Sequence, residues 1–477
     1  MPEVLPSSWL SLLPALVTIL LAFLTRQVIA SLAAGILTGG LVVLILTGDF
    51  SDANPITRFL LPSIGSSSYA RILLIYLWCL GGLIGMWDKT GGARHFAETV
   101  GARLATGRRS SLGFAWALGV VFHQGGTVST VLTGSTVKPI ADRHDVSHEE
   151  LAYVVDSTAS PVATLLAFNA WPLYVASVVA GTIPLFASEA AAERFFWSAL
   201  PFNFYAWFAV LGTLLFSLGW LPWIGGAMAK ARQRALEDGQ LDRPGAEPML
   251  PAALEPAANS AESGAYSPHL ADFLVPLGVL LGLAIIPALL LDENWINEAF
   301  MCSLLSAMVV AKARGMSLAD ISEGFLRGCS QMTIGAIVLG LAVTLGNVSK
   351  QLGSAAYVVE LIGTGIPELA LPAILMLLCM GIAFATGTSW GTYAVMFPLA
   401  MPLAWSLNTD PQYIQVCFAA VLGGAVFGDQ CSPISDTTIL SSMFTGCDLM
   451  DHVRTQFPLA LAAAALAAVC STLAVAF

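Results

Sequence analysis

The hydrophobic residues of this chain form long, nearly uninterrupted runs. An apolar run of about 17–25 residues is the length of helix that crosses a bilayer. We interpret as crossings the apolar stretches at residues 8–25, 27–47, 69–87, 148–182 and 196–222, and again at 270–290, 296–312, 330–347, 412–446 and 456–476. The pattern predicts an all-α polytopic membrane protein with five crossings in each half.

Two pairs of apolar runs are interrupted by small polar residues. Residues 111–123 and 126–140 form the first pair, and residues 371–387 and 390–405 form the second. Short arms joined by glycine and threonine are typical of a helical hairpin that enters and leaves on the same side. We therefore predict one re-entrant hairpin in each half.

A polar segment separates the two halves. Residues 225–269 are rich in Pro, Ala, Glu and Ser, a composition that buries little apolar surface. We predict a flexible cytoplasmic linker here, between a first transmembrane unit at residues 1–224 and a second at residues 270–477.

The two halves also share motifs in the same order and at nearly constant spacing, which indicates an internal duplication. The matching pairs are Pro14 with Pro276, FHQGGTVST (122–130) with FATGTSWGT (384–392), and Ser160-Pro161 with Ser432-Pro433. Because five crossings is an odd number, the second copy must be inverted. Each repeat then contains five spans, a re-entrant hairpin and a broken helix.

The basic residues give the orientation, because cytoplasmic loops carry an excess of Lys and Arg. With inverted copies, Arg108, Arg109 and Lys138 of the first half fall on the same side as Arg314 and Arg454 of the second. Both termini are then predicted to be non-cytoplasmic in a multi-pass protein of the cell inner (plasma) membrane.

The composition agrees with a bilayer as the main partner. Of the 477 residues, 56% are hydrophobic and 11% are charged, whereas soluble domains carry about 25% charged residues. The eight cysteines show no C-x-x-C spacing, and no H-E-x-x-H or G-x-S-x-G motif occurs. These observations favour neither an enzyme nor a nucleic-acid binder, and they indicate no cofactor.

The string GDQCSPISDTTIL at 428–440 is the densest polar signal within an apolar crossing. Proline interrupts a helix and frees backbone carbonyls, and a charge at the bilayer centre costs at least about 2.5–3.5 kcal/mol. We predict an ion or proton site here, with Na⁺ at Asp436, Ser432 and Thr437. The alternative is a proline kink whose freed carbonyls bond to neighbouring hydroxyls. The residues assigned to the site are Asp429, Ser432, Ser435, Asp436 and Thr437.

The matching string in the first half, DSTASPVATLL at 156–166, adds Asp156 and Ser160 as ion- or proton-binding residues. Thr164 stands where the second half has Asp436, so the two regions differ chemically. The alternative is a kinked helix with one buried, hydrogen-bonded aspartate.

The hairpin tips contain a second group of candidate binding residues. Glycine lets the backbone approach a ligand there, and the ends of half-helices supply oriented dipoles. We assign Thr386, Gly387 and Thr388 to the ion. The residues assigned to a substrate are Gly125, Gly126, Thr127, Thr130, Ser389, Trp390, His123 and Asn169. The alternative is plain helix packing through small residues, with His123, Asn169 and Trp390 hydrogen-bonded or packed.

The string GDQCSPISDTTILSS (428–442), followed by CDLMDHVRTQFPLAL (447–461), resembles the signature of the NhaC-type sodium/proton antiporters, within the ion-transporter superfamily. The resemblance implies inverted repeats with hairpins and broken helices, and coupling to sodium. It identifies the solute less firmly, since some relatives exchange malate for lactate or move amino acids. From residues alone, we expect residues 447–456 to form a solvated interfacial loop.

Sodium/proton exchange by alternating access is the leading hypothesis, with Asp436 and Asp429 binding either H⁺ or Na⁺. The alternative is a Na⁺-coupled transporter or exchanger of a small organic solute, an amino acid or a carboxylate. Few buried cations favour a zwitterion over a dicarboxylate. The sequence leaves open whether the protein forms a homodimer.

Overall fold

The structure, a computed structural model, describes residues 6, 8–25, 28–123, 126–166, 169, 171–248, 266–290, 295–354, 357, 365–433 and 435–476. None of these described residues lies in a β-strand, which agrees with the all-α prediction.

The first part of the chain forms eight described α-helices with two π-helical segments, Ile56–Leu60 and Leu73–Leu80, among them. The helices are α1 (Leu13–Thr25), α2 (Val28–Thr47), α3 (Leu61–Ile64), α4 (Ser67–Ile72), α5 (Gly81–Thr90), α6 (Gly92–Leu104), α7 (Arg108–Val121) and α8 (Gly126–Asp142). Helices α7 and α8 correspond to the predicted first hairpin.

The predicted span at residues 148–182 is interrupted twice. It consists of α9 (His148–Ser157), α10 (Ser160–Leu165) and α11 (Trp171–Val179). Pro161 lies in the first turn of α10, where its missing N–H costs no intrahelical bond. Two further helices, α12 (Glu189–Ala199) and α13 (Phe204–Leu218), follow.

The second half forms eight described α-helices. Its helices are α15 (Ala271–Leu290), α16 (Ile296–Ala313), α17 (Leu318–Gln351), α18 (Leu371–Thr386), α19 (Ser389–Leu407), α20 (Pro411–Cys431), α21 (Asp436–Thr445) and α22 (Leu449–Ala476). Helices α18 and α19 correspond to the second predicted hairpin. The predicted span at 412–446 is divided into α20 and α21, with the break at the Ser-Pro pair.

Three of the described helices are long and apolar enough to cross a membrane on their own. They lie at Ile29–Thr47, Pro411–Cys431 and Leu449–Ala476. Residues Glu189–Phe202 and Phe204–Leu218 pass the same test as one span bent by 51°. Shorter apolar helices lie at Trp9–Thr18, Ala271–Pro287 and Glu368–Phe384.

The predicted linker is not uniformly flexible. Helix α14 (Gly226–Asp238) occupies its start and packs against α9 through Met228, Ala231 and Ala235. The spacing of these three residues places them on one face of a helix, which the polar composition of the whole segment conceals.

Ion pairs fix α14 to the start of α9. Arg232 Nε lies 2.7 Å from Glu150 Oε1, and Arg234 Nη2 lies 2.8 Å from Glu149 Oε2. Farther along, Arg243 Nε lies 2.9 Å from Asp451 Oδ2. The first part of the linker is therefore packed, in contrast to the prediction, while residues 249–265 lie outside the described part of the chain.

Helix α17 is longer than the span predicted at 330–347, and its N-terminal part packs on α5 through glycine. A methyl group on Gly85 would lie 2.0 Å from the Gly324 carbonyl oxygen, and one on Gly328 would lie 2.0 Å from the Gly81 carbonyl oxygen. The two backbones are thus in direct contact, as small residues permit between helices in a membrane.

We expect Gly85→Val to destabilise the protein by about 1–3 kcal/mol or more, because the side chain has no space against α17. Thermal unfolding in detergent measures this change. Gly113→Ala is the matched control, since nothing lies within 4 Å of a methyl group there. An unchanged melting temperature for Gly85→Val would show that α5 and α17 are not in backbone contact.

Candidate ion-binding site

Asp429 lies in the last turn of α20, immediately before the break, and only 5% of it is exposed. Its Oδ2 accepts hydrogen bonds from Ser160 Oγ and Ser389 Oγ, both at 3.0 Å. Its Oδ1 accepts a third bond from Ser435 Oγ at 2.8 Å. Three hydroxyls thus replace the water that a buried carboxylate gives up.

The three serines come from three separate elements. Ser160 begins α10 at the first break, Ser389 begins α19 at the second hairpin tip, and Ser435 caps α21 at the second break. Asp429 therefore lies where both broken helices and one hairpin meet. Helices α19 and α21 both begin at this point, and their N-terminal dipoles stabilise a negative charge.

The first hairpin reaches the same site through Gly126, the first residue of α8. A methyl group on Gly126 would lie 2.9 Å from Thr437 Cγ2 and 3.2 Å from Ser160 Oγ. Thr437 Oγ1 lies 3.2 Å from Ser435 Oγ, so this hydroxyl belongs to the same group of polar side chains. We name Asp429, Ser160, Ser389, Ser435 and Thr437 the hydroxyl cluster.

Close packing of α20 against α18 holds the carboxylate in place. A methyl group on Gly428 would lie 2.4 Å from Ala383 Cβ and 2.4 Å from the Phe384 nitrogen. Glycine is therefore required directly before Asp429, because α18 leaves no room for a side chain.

Part of the freed backbone at the break is satisfied by a hydroxyl, as the alternative interpretation of the proline kink expects. Thr438 Oγ1 donates to the carbonyl oxygens of Gln430 at 2.9 Å and Asp429 at 3.3 Å. This accounts for one of the polar residues at the break. It leaves the buried carboxylate and its three serines to be explained by another role.

Asp436 has a different environment from Asp429. It is the first residue of α21 and is exposed, and its Oδ1 accepts a bond from the Thr437 N–H at 2.9 Å. Ser432 is buried, and its N–H donates to the Gly428 carbonyl oxygen at 3.0 Å. The hydroxyl cluster is therefore centred on Asp429, whereas the Na⁺ ligands predicted from sequence were centred on Asp436.

The second hairpin tip is built around Gly387, whose φ of +66° suits glycine, and Thr388, which precedes α19. Trp390 belongs to an aromatic cluster, with ring centroids 4.7 Å from Trp171 and 4.8 Å from Tyr174. The side chain of Thr386 lies outside the described part of the structure. Trp390 thus directly follows Ser389 of the hydroxyl cluster and packs against Trp171 and Tyr174.

Three residues assigned to a substrate have local environments that differ from one another. Asn169 donates to the Ala163 carbonyl oxygen at 2.7 Å and accepts from the Trp171 N–H at 2.9 Å, so its amide joins α10 to α11. His123 is buried, with Nδ1 3.0 Å from the Val120 carbonyl oxygen and no partner for Nε2 among the described residues. Thr130 is buried in α8. Gly125 and the side chain of Thr127 lie outside the described residues.

Asp156 is not part of the hydroxyl cluster. It is fully buried, and its Oδ2 lies 3.1 Å from His452 Nε2 and 3.0 Å from Gln456 Nε2. Both partners lie in the segment 447–456, which we expected to be a solvated loop. That expectation is wrong, because this segment begins α22 and buries His452 and Gln456 completely.

Sequence reasoning missed His452 and Gln456 as functional candidates. Their spacing of four residues places them on one face of a helix, and this signal was present in the string DHVRTQ. Which buried residue that face meets depends on packing between segments almost 300 positions apart, so the sequence alone did not identify Asp156 as the partner.

Comparison with known proteins agrees with a transporter. A model of the Na⁺/H⁺ antiporter family matches residues 162–474. An uncharacterized protein of Haemophilus influenzae is 29% identical over 95% of this chain and 88% of its own length. The crystal structure of the Alcanivorax borkumensis YdaH transporter superposes with a TM-score of 0.56 at 12% identity, covering 94% of this chain and 97% of that chain, and supports the fold alone.

Two relatives with described activities match over shorter stretches. The malate-2H⁺/Na⁺-lactate antiporter of Bacillus subtilis is 30% identical over 43% of this chain and 43% of its own length. The Na⁺/H⁺ antiporter NhaC of Alkalihalophilus pseudofirmus is 38% identical over 17% of this chain and 16% of its own length. The chain thus spans less than half of each of these two relatives.

The hydroxyl cluster predicts energetic coupling between distant serines. Ser160→Ala and Ser389→Ala each remove a hydrogen bond to a charged, buried oxygen, and each should cost about 1.5–3 kcal/mol. Because both hydroxyls donate to the same Oδ2, the double variant should deviate from additivity by about 0.5–3 kcal/mol. Denaturation of the four proteins in detergent measures this coupling.

The control pairs Ser160→Ala with Ser406→Ala, whose hydroxyl donates to the Leu403 carbonyl oxygen of its own helix at an exposed position. That pair should be additive. Additive effects for Ser160 and Ser389 as well would contradict a shared carboxylate oxygen.

Proposed function

We propose that this chain, which belongs to the Na⁺/H⁺ antiporter family, exchanges Na⁺ for protons by competition of the two cations for Asp429. The family match confirms the resemblance to NhaC-type antiporters that residues 428–442 indicated. The family and its structural neighbours are transporters, and together with the apolar helices they identify an integral membrane protein.

The observation that carries the proposal is the buried carboxylate of Asp429 with three serine hydroxyls from separate elements. Sodium is a hard cation that prefers oxygen ligands. A hydroxyl donates to the carboxylate when the cation is absent, and it offers a lone pair when the cation is present. The same side chains therefore serve both states.

Competition follows from the cost of an uncompensated charge in the membrane interior. A buried carboxylate is stable when a cation neutralises it, and either Na⁺ or H⁺ does so. If the site opens to each side in turn, a gradient of one cation drives the other in the opposite direction. In this proposal Asp436, which is exposed, receives the cation on its way to Asp429, and Ser432 and Thr437 complete the oxygen ligands.

The architecture that we propose for this cycle is two inverted repeats, residues 1–224 and 270–477. The order of elements supports it, since each half has a helix pair, a hairpin, a broken helix and a terminal helix. We further propose that both termini are non-cytoplasmic in the inner membrane. Alternating access would then move the hairpins and broken helices that meet at Asp429.

Na⁺-coupled exchange of a small organic solute is the second candidate. The malate-2H⁺/Na⁺-lactate antiporter among the relatives favours it. So does the aromatic cluster of Trp171, Tyr174 and Trp390, which lies next to Ser389. In this alternative Na⁺ remains at Asp429, and the solute lies against the aromatic cluster.

Reconstituted protein should raise the internal pH of liposomes when Na⁺ is added outside, because entering Na⁺ displaces protons outward. A trapped pH-sensitive dye measures the change. Asp429→Asn should reduce the rate at least about tenfold, since a neutral amide has no charge for which the cations compete. Glu98→Gln, an exposed residue paired with Arg94, should leave the rate unchanged. No Na⁺-driven change by the unaltered protein at acidic, neutral or alkaline pH would contradict antiport.

Thermal stability separates the two candidate functions. Na⁺ at a hundredfold excess over its Kd should stabilise the folded protein by about 2.7 kcal/mol, and K⁺ should do less. We expect amino acids and carboxylates to add nothing further in the presence of Na⁺. Additional stabilisation by such a solute, only when Na⁺ is present, would favour the second candidate over the first.

A further inference from the structure

Asp156, His452 and Gln456 form a second buried polar site, separate from the hydroxyl cluster. None of the three is exposed. The ion pair joins His452 Nε2 to Asp156 Oδ2 at 3.1 Å, and Gln456 Nε2 donates to the same oxygen at 3.0 Å. A carboxylate and an imidazole inside a membrane protein are rare and mark ion or proton pathways.

Each of these three residues also has one buried atom without a partner among the described residues. The atoms are Asp156 Oδ1, His452 Nδ1 and Gln456 Oε1. Buried polar atoms are almost always hydrogen-bonded when their role is structural. Three such atoms in one hydrogen-bonded group leave donor and acceptor positions available for a proton.

The site connects to the break that carries Asp429. Gln456 Nε2 donates to the Gln430 carbonyl oxygen at 2.6 Å, one residue after Asp429. The Gln430 side chain donates to Ser157 Oγ at 2.7 Å and accepts from Tyr205 Oη at 2.6 Å. Hydrogen bonds thus join the ends of α9 and α20, from Asp156 through Gln456 to the carbonyl oxygen of Gln430, the residue after Asp429.

The charged groups around Asp156 identify His452 as its ion-pair partner. Tyr205, Cys431 and Asp436 on neighbouring helices lie within electrostatic range of Asp156, and none of these three is cationic. At the outer ends of the packed helices, Glu149, Glu150 and Asp451 are each paired with an arginine. Among the described residues, the ion pair of Asp156 is with His452.

We propose that Asp156 and His452 hold a second exchangeable proton, distinct from the one on Asp429, and release it when Na⁺ binds. This rests on the proposed Na⁺/H⁺ exchange. In the protonated state His452 is an imidazolium beside an ionised Asp156, and the pair is neutral. In the deprotonated state Nε2–H still donates to Oδ2, the proton has left Nδ1 to water, and the pair carries one negative charge.

Na⁺ at Asp429 shifts the balance between these two states. An added positive charge in a low-dielectric interior disfavours a second one nearby and favours a negative charge. Sodium binding therefore promotes loss of the proton from His452. The consequence is exchange of more than one proton for each Na⁺, which moves net charge across the membrane.

The test counts protons released for each Na⁺ bound by the purified full-length protein in detergent. A dissolved pH indicator in weak buffer reports protons upon NaCl addition, with choline chloride as the reference, and calorimetry reports bound Na⁺. His452→Gln and Asp156→Asn should each retain Na⁺ binding and lower the ratio about twofold, because one of two linked protons is removed. His95→Gln, on α6, is the control and should match the unaltered protein.

The outcomes distinguish the two proposals. Suppose that Asp429→Asn loses Na⁺ binding while His452→Gln keeps the same number of protons released per Na⁺. That result would support antiport and would show that Asp156 and His452 hold no second exchangeable proton. No proton release by the unaltered protein would overturn both.

If the variants fold poorly, infrared difference spectra of the unaltered protein test whether His452 loses a proton when Na⁺ binds. Na⁺ should then remove an imidazolium band, and its persistence would refute the role of His452.

Discussion

The structure depends on burying one carboxylate, that of Asp429, among hydroxyls from segments that are far apart in the chain. A charge in a membrane interior is tolerated only where polar groups replace water. The three hydroxyls come from the starts of three different helices, α10, α19 and α21. The two broken helices and the second hairpin therefore have to meet, and their ends are located by this requirement.

Helix breaks usually cost free energy, because N–H and C=O groups lose their partners. Here the losses are offset locally. Thr438 and Gln456 donate to the carbonyl oxygens of the second break, and Gln430 connects that break to Ser157 at the first. These polar side chains thus satisfy the freed backbone and also join the two breaks to each other.

Much of the secondary structure could be predicted, because length and hydrophobicity determine apolar helices and proline determines their breaks. The spans at 270–290 and 371–387 agree with α15 and α18 within one or two residues. Helix α14 was not predicted, since its short apolar face is hidden in a polar composition. The site was predicted in part: the motif indicated Asp429 and Ser435, but their meeting with Ser160 and Ser389 depends on tertiary packing. His452 was missed because a charged string near a helix end resembles solvated surface.

The ion pairs of α14 have a consequence for the range of ionic strength in which the protein works. At physiological ionic strength, salt largely screens interactions between exposed charges that are more than about 8–10 Å apart, and buried pairs are screened much less. Arg94 and Glu98 are exposed, whereas Glu149 and Glu150 are 3% and 0% exposed in their side chains. The attachment of α14 to α9 should therefore persist in concentrated salt. A joint of this kind would suit the proposed exchange of Na⁺, an ion that screens exposed charges.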